Sequence, residues 1–256
     1  MVLTTAPAAI AGAWLQPHGQ GLWIAQAVYY SSNRFYDTNG ATQRQPRFSK
    51  YEFQPYVEYG ATEWLTIGGS AYAQRVEQSG NGNVGLADPE IFARSELWRD
   101  GSARLSIQPL IKFASHFRDT TTPRGGSRSV DAELSLLYGR NLNIVSTNDY
   151  LDARVGYRLR GSNRSPEWRS DVAAGFNVMD GIQLVPSLHA VVATNLRDAA
   201  TFSQNGDLDS TYLKAEMAAL YHRDATQWLQ ASLCKSVAGI QSGDGYGVSL
   251  GYARRF

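Results

Sequence analysis

The sequence predicts an all-β protein, a transmembrane antiparallel up-and-down β-barrel of about 12 strands with both termini in the periplasm. Apolar and polar residues alternate with a period of two along most of the chain, which is typical of strands with two unlike faces. The connections between these segments mostly alternate between long and short, as they do in bacterial barrels. The last segment alternates apolar with small residues and ends on the aromatic Phe256.

The first half of the chain contains six predicted strands, at about residues 21–31, 50–59, 64–71, 88–97, 104–112 and 131–138. In the first, Trp23, Ala25 and Tyr29 share one face. In the second, the odd positions are mostly aromatic or apolar, whereas most even positions are polar. The fourth to sixth strands repeat this pattern: for example, Leu134 of the sixth strand lies on the face opposite to Glu133.

The second half contains six more predicted strands, at about residues 151–160, 169–178, 182–194, 211–222, 228–237 and 246–256. The seventh strand has the clearest period, because its odd positions from 151 to 159 are all apolar or aromatic and its even positions are charged or Gly. The tenth strand sets Met217 against Lys214 and Glu216. In the twelfth, Val248 and Leu250 alternate with small residues.

The predicted long connections are rich in Asn, Thr, Gln, Ser and Gly. They cover residues 32–47, 77–85, 113–130, 161–167 and 195–210, with a Gly-rich connection before the last strand. The hairpin at 139–150 is the least regular of the short class. Four prolines, at positions 55, 89, 109 and 186, fall inside predicted strands. Proline cannot donate a ladder hydrogen bond, so these positions predict bulges or a strand count that is wrong by two.

Composition excludes several classes of protein. The net charge of +1 provides no basic field for nucleic acid. No apolar run approaches the roughly 18–20 residues that a membrane-spanning helix needs. Cys234 is the single cysteine, so an intramolecular disulfide is impossible. Generous numbers of Gly (24) and aromatic residues (14 Tyr, 9 Phe and 6 Trp) suit a barrel with interfacial girdles.

The N-terminus predicts export. Residues 1–13 are interpreted as a signal-peptide remnant or a disordered N-terminus, and residues 14–256 as the transmembrane barrel. Ala9-Ile10-Ala11 fits an A-x-A cleavage site, but the basic region that normally precedes it is missing. A disordered tail of a soluble protein remains the alternative for this segment.

Aromatic residues near strand ends favour a membrane barrel over a soluble sandwich or a lipocalin-like protein, which remain the alternatives. Two aromatic girdles are expected at the two membrane interfaces. The predicted girdle residues are Tyr29, Tyr59, Trp64, Trp98, Tyr138, Trp168, Tyr212, Trp228 and Phe256. Closure into a barrel would also remove the exposed strand edges of a long meander.

The polar faces of the strands predict a charge-lined lumen. The candidate lumen and substrate-path residues are Glu90, Arg94, Glu96, Arg104, Lys112, Asp131, Glu133, Asp152, Arg154, Arg158, Arg160, Arg169 and Asp171. Lys50, Glu52, Glu58, Asp88, Lys214 and Glu216 are also expected to point inward. One interpretation is a network of ion pairs that fills a narrow tube. The other is a permeation path whose arginines favour an acidic solute or a sugar.

No enzyme is predicted. His116, His189 and His222 are the candidate catalytic histidines, and Ser187 shares the face of His189, which is expected to be the lumen. No motif places a third group that would orient any of these histidines. Scattered His and one Cys offer no metal site, and no cofactor is predicted.

The ending of the chain resembles the C-terminal signature of bacterial outer-membrane barrels that their insertion machinery reads, although Arg254 stands where an apolar residue is usual. The opening run from Ala13 to Gly19, followed by a strand, resembles small outer-membrane channels found with phenol-degradation and exopolysaccharide-secretion systems. In strand number the chain also resembles outer-membrane phospholipases. The channel resemblance implies passage of a hydrophobic or saccharide solute without cofactor or energy input.

The sequence therefore predicts a passive channel or export pore in the bacterial outer membrane. Its solutes would be small polar, saccharide or aromatic compounds. A plugged structural or partner-binding barrel is the alternative, and a barrel hydrolase is the third. The expected partners are outer-membrane lipid and lipopolysaccharide, the barrel-insertion machinery, a small solute or polysaccharide, and a possible membrane or periplasmic protein, but no nucleic acid.

Overall fold

The computed structural model describes residues 12–117, 123, 125–127, 129–162, 164–196 and 209–256. Residues 1–11 of the predicted signal-peptide remnant, including its A-x-A site, lie outside the described residues. So do residues 197–208 of the predicted connection 195–210.

Thirteen strands make up the described part of the chain. They are β1 (Gly21–Tyr36), β2 (Thr42–Thr62), β3 (Leu65–Gln78), β4 (Asn81–Asp100), β5 (Ala103–Lys112), β6 (His116–Phe117), β7 (Asp131–Leu142), β8 (Asp149–Leu159), β9 (Glu167–Met179), β10 (Ile182–Ala193), β11 (Thr211–His222), β12 (Gln227–Ile240) and β13 (Ser242–Arg255).

The strands close into a barrel. Consecutive long strands pair antiparallel, and β1 pairs with β13, so that the sheet has no open edge. Twelve long strands form the ring, and the two-residue β6 continues the line of β5 against β4. The predicted 12-stranded antiparallel barrel is therefore confirmed. Leu22 lies opposite Arg255, which places the start of β1 and the end of β13 at one rim, called here the terminal rim. The opposite rim is called the loop rim.

The barrel is apolar outside and charged inside. Leu233 and Leu250 are 66% and 69% exposed, whereas Lys50 and Glu58 are 1% and 2% exposed. A protein surrounded by water has the opposite distribution, and an outward apolar band with a polar interior is the pattern of membrane barrels. The predicted two-residue alternation is thus confirmed as the division between the lipid-facing and the inner face. In the described ranges, no helix is long and apolar enough to cross a bilayer.

Three predicted long connections are wrong, because β1, β2, β3, β4, β12 and β13 extend well beyond the predicted strands. β1 and β2 are joined by residues 37–41, β3 and β4 by Ser79 and Gly80, and β12 and β13 by Gln241. Ser79, Gly80 and Gln241 adopt positive φ angles, which permits these tight reversals. Towards the loop rim these strands leave the apolar band and lose the alternation on which the prediction relied.

The turn between β1 and β2 is ordered by Asp37. Its carboxylate accepts backbone N–H groups of Asn39 at 2.8 Å and Ala41 at 3.0 Å. These hydrogen bonds to the charged form lower the pKa of Asp37. The polar composition of residues 32–47 predicted a long loop. These residues instead form the five-residue turn 37–41 and the adjoining parts of β1 and β2.

All four prolines lie inside strands, so the alternative that they signal a wrong strand count is incorrect. Pro55, Pro109 and Pro186 each pair with one neighbouring strand and fall at a gap in the pairing with the other. Pro89 follows Asp88, whose φ of 40° marks a bulge that leaves both residues unpaired with β3. Each interruption follows from the missing N–H of proline.

The predicted aromatic girdles need one correction. Tyr59, Trp64, Trp98, Trp168 and Phe256 are all at least 41% exposed on the outer face. Tyr212 and Trp228 are instead buried inside the barrel, at 9% and 5% exposure. Both lie an even number of residues from inward-facing groups on their own strands, so the period of two takes precedence over their position near a strand end.

Candidate functional site

Two apolar layers fill the lumen above and below its charged centre. The layer towards the terminal rim, called the terminal-side layer, consists of Leu22, Ile24, Tyr56, Phe92, Ala173, Val185, Ala218, Leu220, Trp228 and Ala253. The layer towards the loop rim, the loop-side layer, consists of Tyr30, Phe48, Val76, Phe117, Val191 and Tyr212. Apolar constrictions of this kind resist wetting and can close a pore.

Residues 12–18, called the N-terminal segment, lie across the lumen near the terminal rim. Ala13 is fully buried, and its carbonyl accepts the hydroxyl of Ser106 at 2.6 Å. The carbonyl of Trp14 accepts Arg94 Nη1 at 3.1 Å. Gln16 donates to side chains of β2 and β3 at 2.8 Å. The segment is therefore bonded to four strands, β2 to β5, and closes this end of the barrel.

Two inward glycines make room for the N-terminal segment. A Cβ atom on Gly60 would lie 2.1 Å from the carbonyl oxygen of Pro17. A Cβ atom on Gly139 would lie 2.6 Å from the ring of Trp14. Any larger residue at these positions would displace the segment, so the barrel wall is shaped to hold it.

Glu133 is the centre of the charge network. Its side chain is 0% exposed and is shared by three guanidinium groups: Arg154 in direct contact, Arg158 Nε at 2.7 Å and Arg169 Nε at 3.9 Å. Arg158 also binds Glu90 at 3.0 Å. Buried charges are tolerated only when paired in this way. These three predicted lumen arginines are therefore not a free basic patch.

A second cluster lies towards the loop rim. Lys112 and Arg164 both bind Asp131, the latter at 2.8 Å. Arg160 bridges Asp209 at 3.1 Å and Glu167 at 3.3 Å. Arg164 and Asp209 lie in the predicted long connections 161–167 and 195–210. No pattern in the sequence identifies them, because the two-residue period ends where the strands end.

Four other predicted lumen residues, Arg94, Glu96, Arg104 and Asp152, lie nearer the terminal rim. Arg94 binds Glu58 at 2.8 Å, and Arg104 binds Glu96 at 3.3 Å in a partly exposed pair. The acidic partner of Arg94 thus lies on β2, and that of Arg104 on β4. Asp152 is half-buried beside the N-terminal segment, and its buried Oδ1 makes no hydrogen bond among the described residues.

The structure brings a third group to His189 that no motif revealed. Ser187 Oγ lies 3.1 Å from Nε2, and Asp171 Oδ1 lies 2.8 Å from Nδ1. The prediction that Ser187 and His189 share a face is confirmed. Glu216 Oε2 also lies 3.4 Å from Nε2. Among the described residues, no group of three or more His, Cys, Asp or Glu is arranged to hold a metal ion.

Inner faces of neighbouring strands form two different walls. The charged wall, on β4, β5, β7, β8 and β9, comprises Asp88, Glu90, Arg94, Glu96, Arg104, Lys112, Asp131, Glu133, Asp152, Arg154, Arg158, Glu167, Arg169 and Asp171. The uncharged wall, on β12, β13 and β1, comprises Trp228, Gln230, Ser232, Cys234, Ser236, Gly247, Ser249, Gly251, Ala253, Leu22, Ile24, Gln26, Val28 and Tyr30.

Between the two apolar layers lies a polar cavity of about 50 Å³. Its lining includes Arg154, Arg158, Arg169 and His189 of the network, together with Lys214 of β11. The volume is enough for a few water-sized groups.

No family model and no curated protein matches this sequence. Solved structures do share its fold. An outer membrane channel from Pseudomonas putida F1 matches with a TM-score of 0.78 over 99% of this chain and 100% of that chain, at 14% identity. The NanC porin matches with a TM-score of 0.61 over 91% of this chain and 98% of that one, at 10% identity.

A monoaromatic hydrocarbon channel, CymD, also matches, with a TM-score of 0.54 over 94% of this chain and 89% of that chain, at 10% identity. Identities this low establish the fold alone. Together with the apolar outer band, the shared fold marks the chain as a transmembrane β-barrel. The predicted architecture and location therefore agree with the fold.

Proposed function

We propose that this barrel is a passive outer-membrane channel for small polar, saccharide or aromatic solutes, closed at rest by the N-terminal segment and the two apolar layers. The observation that carries the proposal is a closed ring of strands whose polar inner face crosses an apolar band. Such a ring provides a route through a bilayer that needs neither cofactor nor energy input. The barrels with the same fold include proteins described as channels and a porin.

Conductance in planar bilayers tests this function. Wild-type protein is compared with a variant that lacks residues 2–16 and so loses the bonds from Ala13, Trp14 and Gln16 to the barrel wall. We expect small, infrequent openings from the wild type and at least about a fivefold higher mean conductance from the variant, because one of three closures is removed. Silence from both proteins, each shown to be folded by its heat-modifiable migration, contradicts the channel and supports the plugged barrel.

A hydrolase is the second candidate, since Ser187, His189 and Asp171 have the distances of a nucleophile, a base and its orienting group. However, carboxylates lie near both ring nitrogens, which stabilises the imidazolium, and an imidazolium cannot accept the serine proton. We therefore expect hydrolysis of short p-nitrophenyl esters to stay at background, and Ser187→Ala to leave it unchanged. Turnover that disappears in Ser187→Ala would establish the enzyme instead.

A further inference from the structure

Lys214 is the buried cation that the charge network leaves without a hydrogen-bonded partner. It is 2% exposed, and its Nζ makes no hydrogen bond within the described part of the chain. Two aromatic rings lie beside its Nζ, with centroids of Tyr30 at 5.5 Å and Tyr212 at 5.1 Å. Cation–π contacts offset only part of the cost of removing an ammonium group from water. This position therefore favours an anionic ligand.

The ammonium group of Lys214 lines the central cavity. Arg154, Arg158 and Arg169 line the same cavity, which adds positive potential around Lys214. Two carboxylates also line it, but Glu90 is bonded to Arg158 at 3.0 Å and Asp171 to His189 at 2.8 Å. Their oxygens are engaged by other cations. Glu52 and Glu216 also attract Lys214 from outside the cavity lining, but Glu52 pairs with Lys50 at 3.0 Å and Glu216 lies 3.4 Å from His189. An external carboxylate would therefore compete with groups that already have other partners.

The size and surroundings of the cavity indicate a ligand with two unlike ends. About 50 Å³ accommodates the three atoms of a carboxylate but not an aromatic ring, so the apolar body of a ligand would have to displace side chains beside the cavity. Val191 and Tyr212 line the cavity and also belong to the loop-side layer. A ligand that places its carboxylate on Lys214 would therefore direct an apolar body towards aromatic and aliphatic side chains.

We propose that the centre of the lumen is a binding site for monocarboxylates with an aromatic or aliphatic body, with Lys214 as the residue that holds the carboxylate. The inference rests on the proposed channel, because it names the class of solute that the lumen takes. Lys214 adds a charge-assisted hydrogen bond, and the loop-side layer covers the apolar body.

Calorimetric titration of the full-length, detergent-solubilised protein tests the site. Benzoate is the probe and benzamide its neutral isostere. We expect benzoate to bind, benzamide to bind at least about tenfold more weakly, and Lys214→Met to remove the preference for benzoate. Lys235→Met makes the same substitution at an exposed lysine paired with Asp244, away from the cavity, and as the control it should retain the preference. Equal affinity for both probes, or unchanged binding in Lys214→Met, overturns the site.

Heat-modifiable migration tests the same residue without any ligand. Lys214→Met removes a charge that lacks a hydrogen-bond acceptor, so the variant should unfold at the same or a higher temperature than the wild type. Arg158→Met removes a paired charge and should unfold at a lower temperature. If Lys214→Met unfolds as early as Arg158→Met, Lys214 has an acceptor in the protein and the inference fails.

Bilayer conductance separates this inference from the proposed function. Benzoate binding without conductance in the variant that lacks residues 2–16 retains the site and contradicts the channel. If the protein conducts, benzoate does not reduce that conductance and calorimetry detects no binding, the channel is retained and the site is overturned.

Discussion

The two walls of the lumen differ in what holds them together. On the charged wall, Glu133 and Arg158 are 4% exposed, and each has at least two partners of opposite charge. On the uncharged wall, neutral contacts take their place: Gln230 donates to Gln26 at 3.1 Å, and the hydroxyls of Ser232 and Ser249 lie 2.7 Å apart.

Because of this difference, the charged wall is rigid, whereas the uncharged wall leaves space in the lumen. Shared buried ion pairs keep their geometry, because moving one partner leaves the others uncompensated in a medium of low polarity. Neutral hydrogen bonds contribute little each, and Gly247 and Gly251 add no side chain to their wall. We therefore expect the charged wall to maintain the barrel, and the uncharged wall to leave room for the solute to pass the site at Lys214.

Glu133→Leu should have the largest effect, because it leaves three guanidinium groups without their shared carboxylate. Breaking a buried pair by removing one partner costs about 3–5 kcal/mol of unfolding free energy. Urea unfolding in lipid vesicles measures it. A loss below about 1 kcal/mol would mean that the charged wall does not hold the barrel together.

Arg94→Met should have a smaller effect, about 2–3 kcal/mol, since Glu58 keeps the hydroxyl of Tyr56 and the amide of Gln16 as donors. The same change frees the carbonyl of Trp14, so mean conductance should rise together with the loss of stability. Arg104→Met, which breaks a partly exposed ion pair with Glu96, is the matched control for both measurements. A loss of stability without any rise in conductance would mean that Arg94 does not help to close the lumen.

Ser249→Leu tests whether the uncharged wall lines the solute path. In the variant that lacks residues 2–16, an added leucine side chain there should lower conductance about threefold or more by narrowing the lumen. Ser170→Leu makes the same substitution on the outward face of β9 and should leave conductance unchanged. Equal conductance in both double variants would place the path elsewhere.

The double substitution Gln26→Leu with Gln230→Leu should have the smallest effect. Replacing both partners of a neutral hydrogen bond by apolar groups of similar size is nearly neutral, so we expect a change within about 1 kcal/mol. Urea unfolding of this double variant, measured in parallel with Glu133→Leu, compares the two walls directly. A loss as large as that of Glu133→Leu would remove the distinction between them.

Much of the architecture could be predicted from the chain itself. A strand has a period of two, so residues such as Glu52 and Leu134 reveal their face without knowledge of any neighbour. The strand count and the antiparallel order followed from the same signal. The extended parts of β1 to β4 were missed because the prediction relied there on polar composition. The inward positions of Tyr212 and Trp228 were missed because the prediction relied on their place near strand ends instead of on the period of two.

The partners inside the lumen could not be predicted, because they depend on the register between strands and on distances across the lumen. Asp171 reaches His189 through the register of β9 with β10, and Arg158 reaches Glu90 across the barrel interior. Arg164 and Asp209 enter from connections that carry no periodic signal.

The sequence by itself determined a membrane barrel with a charged interior, since alternation on each strand is a local property. Only the tertiary structure decided that most of these charges are paired, that residues 12–18 close one end, and that Lys214 has no hydrogen-bonded partner among the described residues. Those outcomes depend on distances across the lumen, and curvature and register set such distances only when the twelve strands close.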